Sequence, residues 1–388
     1  MQDNVKHLSF IMKRLRINGY DSAVKEEIAK LKGIDTSELT SLLSAGENVQ
    51  AAQLAKALWQ DALSERAASF SSLAWLDKII AWADELGLTN EEVPRDRQQL
   101  LAQWAFWFGV GGDMNAVPSL PSEFANFKWL EGLSFDICGL RSCPEFIGEF
   151  EDLEWLTMNS THISELPQGF ARLQKLEELF LCDGEFTQVP LPLCELSRLE
   201  RLHLYENKIS TLPDEMSNLQ GLDTLSLGDC KFTKFPAVVC KLTNLWDLGL
   251  DNNAISSVPE SICELKRLWD LSLECNAIKA LPDTLCELSR LEILDVSSNQ
   301  LTALPANIDK MASLRSLRLN SNRLTALPDA LCGLKNLESI SVKNNAFSEF
   351  PRVLLGLKKL KNLRIDAKLV DSKTRKELEK MGVEVEFE

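Results

Sequence analysis

The chain has 388 residues and a formal net charge of −15, from 42 Lys and Arg against 57 Asp and Glu. Because 45% of the residues are hydrophobic, a large core is possible and a disordered acidic tail is excluded. The acidic balance argues against a general nucleic-acid-binding protein, since contacts to phosphates need a basic surface. The sequence contains no run of 18 apolar residues and no apolar N-terminal segment typical of a secretory signal, so we expect no membrane span.

Residues 1–106 are predicted to form an all-α domain, because their apolar residues recur with a helical period. Asp21 is a candidate N-cap for the second helix, and longer helices are predicted over about 47–68 and 70–86. The glycines that would end successive helices are Gly19, Gly33, Gly46 and Gly87.

The apolar string WAFWF at 104–108 follows a last helix predicted from about residue 95. We interpret the string as the seam where the helical domain docks on the rest of the chain, since exposed aromatic patches are usually covered. A membrane-touching patch is the alternative, which the short length of the run disfavours. The mildly basic first 32 residues fit a solvated helix face or a weak contact with an anionic surface.

Prolines recur every 23 residues in the rest of the chain, and each is preceded by the pattern L-x-x-L-x-L-x-x-N-x-L-x-x-L-P. One clear copy is Leu314, Leu317, Leu319, Asn322, Leu324, Leu327 and Pro328. The first apolar residue of each copy stands at 107, 130, 153, 176, 199, 222, 245, 268, 291, 314, 337 and 360. The copy that begins at Trp107 is half-formed, and three glycines (Gly109, Gly111 and Gly112) weaken its strand.

This unit resembles the leucine-rich repeat of the 23-residue LPxxLxxLxxLxxLxLxxN type found in intracellular and bacterial proteins. The resemblance implies an α/β protein, a right-handed solenoid with a parallel sheet of about 11–12 strands on its concave face. The residues support it independently, because L-x-L alternation points both leucines inward from a strand and the x residues outward. We predict a helical domain over 1–106, a solenoid over 107–366 and a C-terminal cap over 367–388.

An asparagine ladder is expected where the chain leaves each strand, because an amide side chain both donates to and accepts from the backbone. Its members are Asn207, Asn253, Asn276, Asn299, Asn322 and Asn345. The first coils should be less regular, because the residues in place of asparagine are Cys138, Thr161, Gly184 and Cys230. In the C-terminal cap, Asp371 would N-cap a helix ending near Gly382, and the alternation Val383, Val385, Phe387 would close the stack.

All ten cysteines lie between Cys138 and Cys332, and five share one repeat position. That position predicts small buried side chains at Cys194, Cys240, Cys263, Cys286 and Cys332. Reduced thiols in a long chain indicate a cytoplasmic location, although an effector secreted by a bacterium into a host cytosol is also compatible.

Motifs for catalysis, cofactors and metals are missing from the sequence, so we predict no enzyme, no cofactor and no metal site. HExxH, GxxxxGK[ST], GxSxG and CxxC do not occur. His203 and Cys182 fall on nearby outward positions, but they are interpreted as surface side chains because no oxyanion hole or orienting acid accompanies them. Bacterial effectors that join such repeats to a ubiquitin-ligase domain use a Cys-x-Asp motif, which this chain lacks.

The outward strand positions divide into three zones along the predicted concave face. The aromatic zone is Trp155, Phe180, His203 and Tyr205, with Arg201 beside them. The acidic zone is Asp247, Asp251, Asp270, Glu274 and Asp295, with Trp246 and Trp269 stacked on its edge. The basic zone is Arg315, Arg318, Lys343, Lys361 and Arg364. The alternatives are that the helical domain buries the aromatic zone, and that the acidic zone only keeps the protein soluble.

The preferred hypothesis is a non-enzymatic adaptor that binds a protein or peptide partner, one with a basic segment, on the concave face. The predicted binding residues are the aromatic and acidic zones, their flanking tryptophans and Arg318. One alternative is an effector or ubiquitin-ligase-type adaptor that reads its substrate with the repeats. Another is a self-associating scaffold, although we favour a monomer.

Overall fold

The computed structural model describes residues 4–17, 22–108 and 117–387, in two units. The first unit is Met1–Leu156 and the second unit is Thr157–Glu388. Thirteen parallel strands follow one another in chain order. They exceed the predicted 11–12 because the C-terminal cap contributes a strand of its own beyond the twelve repeats.

The first unit begins with helices, as the apolar spacing predicts. They are α1 Asn4–Ile17, α2 Ser22–Lys30, α3 Ser37–Ser44, α4 Asn48–Ala68, α5 Ala74–Glu85 and α6 Arg97–Leu101. Three of the predicted stops, Gly33, Gly46 and Gly87, have positive φ values of 71°, 78° and 66°, a conformation that glycine adopts without strain. The predicted stop at Gly19 and cap at Asp21 lie outside the described residues.

Most of the string WAFWF is the first strand of the sheet, β1 Ala105–Phe108, and the string also packs against helices of the first unit, as the seam interpretation predicts: the Phe108 ring lies 5.9 Å from the ring of Trp82 on α5. β1 pairs with β2 Gly132–Phe135 in a register that joins Ala105 to Gly132, an offset of 27 residues. The strand of the copy predicted from Trp107 therefore departs from the 23-residue register, whereas the buried Val117 and Leu120 and the 3₁₀ turn after Pro121 keep it. The reason is the alternation in AFWF, which buries Phe106 and Phe108 on the inner side of the strand.

The remaining strands are β3 Trp155–Thr157, β4 Glu178–Phe180, β5 Arg201–His203, β6 Thr224–Ser226, β7 Asp247–Gly249, β8 Asp270–Ser272, β9 Ile293–Asp295, β10 Ser316–Arg318, β11 Ser339–Ser341, β12 Asn362–Arg364 and β13 Glu384–Glu386. The central residue of β5 to β10 is a fully buried leucine. In most repeats a 3₁₀ turn starts directly after the repeat proline, as at Asp283–Glu287 after Pro282. Each repeat thus offers one row of outward residues on a fixed backbone.

The asparagine ladder is present in the second unit, and Asn299 illustrates it. Its Nδ2 donates to the carbonyls of Leu273, Val296 and Ser297 at 2.8, 3.2 and 3.0 Å. Its Oδ1 accepts from the backbone N–H of Ile278 at 2.9 Å. The same bonds recur at Asn207, Asn253, Asn276, Asn322 and Asn345.

The expected irregularity of the early coils is not seen at the turns that leave their strands. The residue before the ladder position has a positive φ in these repeats as in the later ones, for example 55° at Ile137 and 52° at Ser160. Cys138 and Thr161 each satisfy one carbonyl, those of Phe135 and Met158, at 3.0 Å. One side-chain bond is therefore enough to accompany this turn conformation.

The C-terminal elements follow the prediction. The Asp371 carboxylate accepts from the backbone N–H of Thr374 at 2.7 Å and caps α7 Ser372–Met381. Gly382 ends this helix with a φ of 73°. β13 then pairs with β12 and joins Val385 to Leu363.

The ten cysteines are all free thiols. Cys194, Cys240 and Cys286 are buried as predicted, but Cys263 is only partly buried. The prediction is wrong for Cys332, which is exposed and lies against Gly356, a residue with no side chain to cover it. Burial raises the pKa of Cys194 to about 11, so that thiol is protonated at neutral pH.

No helix among the described residues is long and apolar enough to cross a membrane. No group of three or more His, Cys, Asp or Glu side chains in that part of the chain is arranged to hold a metal ion.

Candidate functional site

The outward side chains of the second unit form what we call the open face. Its centre is a floor of small residues, Ser226, Gly249 and Ser272, which lie in register on β6, β7 and β8. Neighbouring strands are about 4.8 Å apart, so the floor is about 10 Å wide across the three strands. Larger side chains before and after these residues border the floor.

Acidic side chains stand on both sides of this floor. Asp247 and Asp270 are in register at the start of β7 and β8, and Asp251 and Glu274 follow the ends of the same strands. These four carboxylates form no salt bridge within the described residues. Burial raises the pKa of Asp247, Asp270 and Glu274, and neighbouring carboxylates add to the effect.

Asp295 differs from the other members of the acidic zone. It is only 5% exposed, and its Oδ1 accepts from the backbone N–H of Ser297 at 2.9 Å. Its Oδ2 lies 3.2 Å from Nη1 of Arg318. The structure therefore places Asp295 and Arg318 together as an ion pair, apart from the four unpaired carboxylates.

Trp246 and Trp269 stack beside the acidic side chains, as the repeat register predicts. Their ring centroids are 4.5 Å apart and the ring planes differ by 4°. Trp246 remains 45% exposed. Each tryptophan directly precedes a carboxylate, Asp247 or Asp270, so an exposed aromatic surface borders unpaired negative charge.

A second aromatic pair lies at the N-terminal end of the second unit. Phe180 and His203 stack with centroids 4.4 Å apart. Burial and the nearby Arg201 lower the pKa of His203, so its ring is neutral at pH 7. Arg201 itself bonds the carboxylate of Glu178. Tyr205 is 40% exposed, and it adds a polar aromatic group at the same end.

Trp155 lies in the first unit, where it packs against its own neighbours. Its indole covers Gly132, since a Cβ there would lie 2.0 Å from the ring, and it stacks on Trp107 at 5.6 Å. This packing role was not predicted for Trp155, because its position in the repeat points outward from the strand. The absence of a side chain at Gly132 was the available signal.

Helix α1 also covers part of the first unit. Lys6 pairs with Glu131, next to β2, and lies 4.9 Å from the centroid of the Trp104 ring. All four residues of β2 are buried. In the first unit α1 thus contacts Glu131 and Trp104, while the outward side of Gly132 on β2 is covered by Trp155. In the second unit Phe180, His203 and Tyr205 keep exposed surface.

The predicted basic zone is largely neutralised by carboxylates. Arg315 pairs with Glu292 and Glu338 at 2.8 and 3.1 Å, and Lys361 pairs with Glu338 at 2.6 Å. Arg364 pairs with Glu386. The prediction of net positive charge omitted Glu292, Glu338 and Glu386, which stand at the equivalent positions of the neighbouring strands.

A pH dependence of stability follows from Asp270, whose pKa rises to about 6. The folded protein holds this proton at pH 5 while the unfolded chain has lost it, so stability falls as the pH rises from 4 to 7. The free energy of unfolding of Asp270→Asn relative to that of the wild type should therefore increase by about 1 kcal/mol from pH 4 to pH 8, after allowance for the partial exposure of Asp270. Urea unfolding at both values measures this, with Asp214→Asn at an exposed turn as the control. A gain that is the same at both pH values would contradict it.

The open face offers charge and aromatic recognition. Its one candidate nucleophile, Cys182, is buried at 1% exposure, so it is not available to a substrate beside His203. Unpaired carboxylates next to an exposed indole are suited to a cation, because the ring face attracts positive charge.

Family models match three parts of the chain. The model described as "Leucine-rich repeat region" matches residues 237–321, and two models described as leucine rich repeat match 312–367 and 198–219. No curated protein matches the sequence.

Solved structures with the same fold include bacterial and plant proteins. The leucine-rich repeat protein LIC12759 of Leptospira interrogans is 28% identical, with 70% of this chain and 81% of that chain covered and a TM-score of 0.56. The internalin inlF of Listeria monocytogenes is 22% identical, with 69% and 76% covered and a TM-score of 0.60, a likeness of fold. The plant peptide hormone receptor RGFR1, solved with RGF2, is 25% identical, with 63% and 45% covered and a TM-score of 0.53. This chain thus spans less than half of that receptor.

Proposed function

The chain is a leucine-rich repeat protein, and on that premise we propose that it is a non-enzymatic adaptor that binds a protein or peptide partner on the open face. The observation that carries the proposal is the stacked pair Trp246 and Trp269 beside the unpaired carboxylates of Asp247 and Asp270. Side chains with this exposure and charge do not contribute to the inward leucine core.

The partner carries a basic segment in this proposal. A lysine or arginine side chain over the floor at Gly249 would reach carboxylates on both sides of it. The cation restores the negative charge of Asp270, whose pKa is raised by burial and by the neighbouring Asp247 and Asp295, and is lowered only in part by Arg318. Contact with the tryptophan pair adds a cation–π interaction and apolar area.

Two further observations support the proposal. Proteins with leucine-rich repeats generally mediate protein–protein interactions, and RGFR1 was solved in complex with a peptide, RGF2. Ten free thiols suit a reducing compartment, so we assign the protein to the cytoplasm.

Affinity capture from native cell extract tests the proposal with three matched baits. They are the wild type, an open-face variant (Trp246→Ala, Trp269→Ala, Asp247→Lys, Asp270→Lys) and a control with equal charge change (Asp214→Lys, Glu215→Lys) on an exposed turn. We expect a partner retained by the wild type and the control but lost from the open-face variant. Circular dichroism must first show that all three baits are equally folded.

The outcome also separates the alternatives. Equal recovery on all three baits would overturn the open-face site. A ubiquitin-ligase component among the retained proteins would favour the ligase-type adaptor. A solution mass that rises with concentration for the wild type alone would favour the self-associating scaffold.

A further inference from the structure

A polar basin of about 710 Å³ lies at the C-terminal end of the open face. Its floor is Ser339 and Ser341 on β11, and its sides include Arg318 on β10 and Arg364 on β12. Ser341 is only 9% exposed. The two arginines of the basin lie three and five strands from Gly249 along the sheet, and Glu274, which borders the acidic floor, also lines the basin.

Five residues in register across this basin form a symmetric charge pattern, with an acidic residue at each end, an arginine inside each of these and an uncharged residue at the centre. Their order from β9 to β13 is Asp295, Arg318, Ser341, Arg364 and Glu386. Each arginine bonds the carboxylate on its outer side: Arg318 through Nη1 to Asp295, and Arg364 through Nε and Nη2 to Glu386. The uncharged Ser341 separates the two arginines.

In this arrangement both guanidinium groups keep N–H donors for a ligand that lies between the two arginines. A guanidinium has five N–H donors, and the contacts to Asp295 and Glu386 involve one nitrogen of Arg318 and two of Arg364. The two arginines are two strands, about 10 Å, apart. A carboxylate placed over Ser341 could accept from both, while the outer carboxylates hold the guanidinium groups in position.

We propose that the basin binds a carboxylate of the same partner whose cation lies at Asp270, which rests on the proposed function above. Ser272 on β8, which lies between Asp270 and Glu274, is in register with Ser341 on β11, three strand steps or about 14 Å away. An extended chain rises about 3.4 Å per residue, so the partner's acidic residue lies about four residues from its basic one. Opposite charges at this spacing fix the direction and register of the bound segment.

Synthetic peptides with blocked termini test the spacing. The probe peptide has arginine and aspartate four residues apart in a Ser/Ala background; the matched peptides replace aspartate with asparagine or place it eight residues away. We expect the probe peptide to bind about tenfold more tightly than either, which corresponds to about 1.4 kcal/mol. A third peptide with phosphoserine at the aspartate position separates carboxylate from phosphate.

Two variants locate the effect in the basin. Arg318→Gln with Arg364→Gln should remove the tenfold preference, while Arg315→Gln, whose arginine is paired with Glu292 and Glu338 at the strand edge, should keep it. Ser341→Asp keeps both arginines and places a carboxylate between them, so it should also remove the preference. Arginine Nε–H signals in NMR report the basin, and quenching of tryptophan fluorescence reports the pair Trp246 and Trp269.

The two readouts distinguish failure of this inference from failure of the proposed function. Tryptophan quenching with equal affinity for the aspartate and asparagine peptides would overturn the carboxylate site and leave the basic-segment proposal in place. Arginine shifts without quenching would contradict the basic segment. If neither the arginine shifts nor the tryptophan quenching is observed, the carboxylate site and the basic-segment proposal are both overturned. A preference for phosphoserine would overturn the carboxylate assignment.

Discussion

Replacing Asn299 with alanine is expected to lower the free energy of unfolding of the second unit by about 3 kcal/mol. The side chain is 7% exposed and makes four bonds to the backbone of two successive repeats. Alanine leaves the carbonyls of Leu273, Val296 and Ser297 and the N–H of Ile278 without this partner. Because those backbone groups are shielded from water, leaving them without a partner costs more free energy than a hydrogen bond contributes on average.

Asn336→Ala is the matched control for this prediction. Asn336 also donates to a backbone carbonyl, that of Ala312 at 2.8 Å, but at an exposed site where water can replace the amide. We expect a loss below about 1 kcal/mol there. Urea unfolding and amide hydrogen exchange near residues 273–299 measure both changes; equal losses at Asn336 and Asn299 would contradict the role assigned to the ladder.

The ladder could be predicted because it depends on sequence period alone. A 23-residue step places every asparagine above the next, so one register determines the strands and the inward leucines together. The C-terminal cap could also be predicted, since Asp371 and Gly382 are local sequence signals for the two ends of a helix.

The first strand shows where period alone fails. β1 pairs with β2 at an offset of 27 residues, so the repeat length gives the wrong register there. The alternation of AFWF is a local strand signal, but the same aromatic string also suits a seam between domains. Four buried phenylalanines, Phe106, Phe108, Phe124 and Phe135, resolve the ambiguity by packing together in the first unit.

The repeat register predicted which side chains of the open face are neighbours, but not which of them form ion pairs. Register placed Trp246 beside Trp269 and Asp247 beside Asp270, and the structure has both pairs. It did not reveal that the buried Asp295 pairs with the exposed Arg318, because that pairing depends on how two side chains turn on neighbouring strands. The open face consequently presents unpaired carboxylates beside the floor and two arginines in the basin, the charge arrangement on which both proposals rest.

Gly132→Ala is expected to destabilise the first unit by about 2 kcal/mol, although alanine is ordinarily better than glycine in a strand. The new Cβ would lie 2.0 to 2.5 Å from three atoms of the Trp155 indole, so the ring must leave its place on β2 and its stack on Trp107. Gly249→Ala in the second unit is the control, because its Cβ would meet nothing closer than 3.5 Å and should be neutral or slightly stabilising.

A double-mutant cycle with Trp155→Ala isolates the cause. If the indole is what excludes a side chain at Gly132, the cost of Gly132→Ala disappears once Trp155 is alanine, and the coupling equals about 2 kcal/mol. Chemical unfolding followed by tryptophan fluorescence gives the four free energies. Additive losses would mean that Gly132 is required for backbone reasons, and would return Trp155 to the set of side chains free to bind a partner.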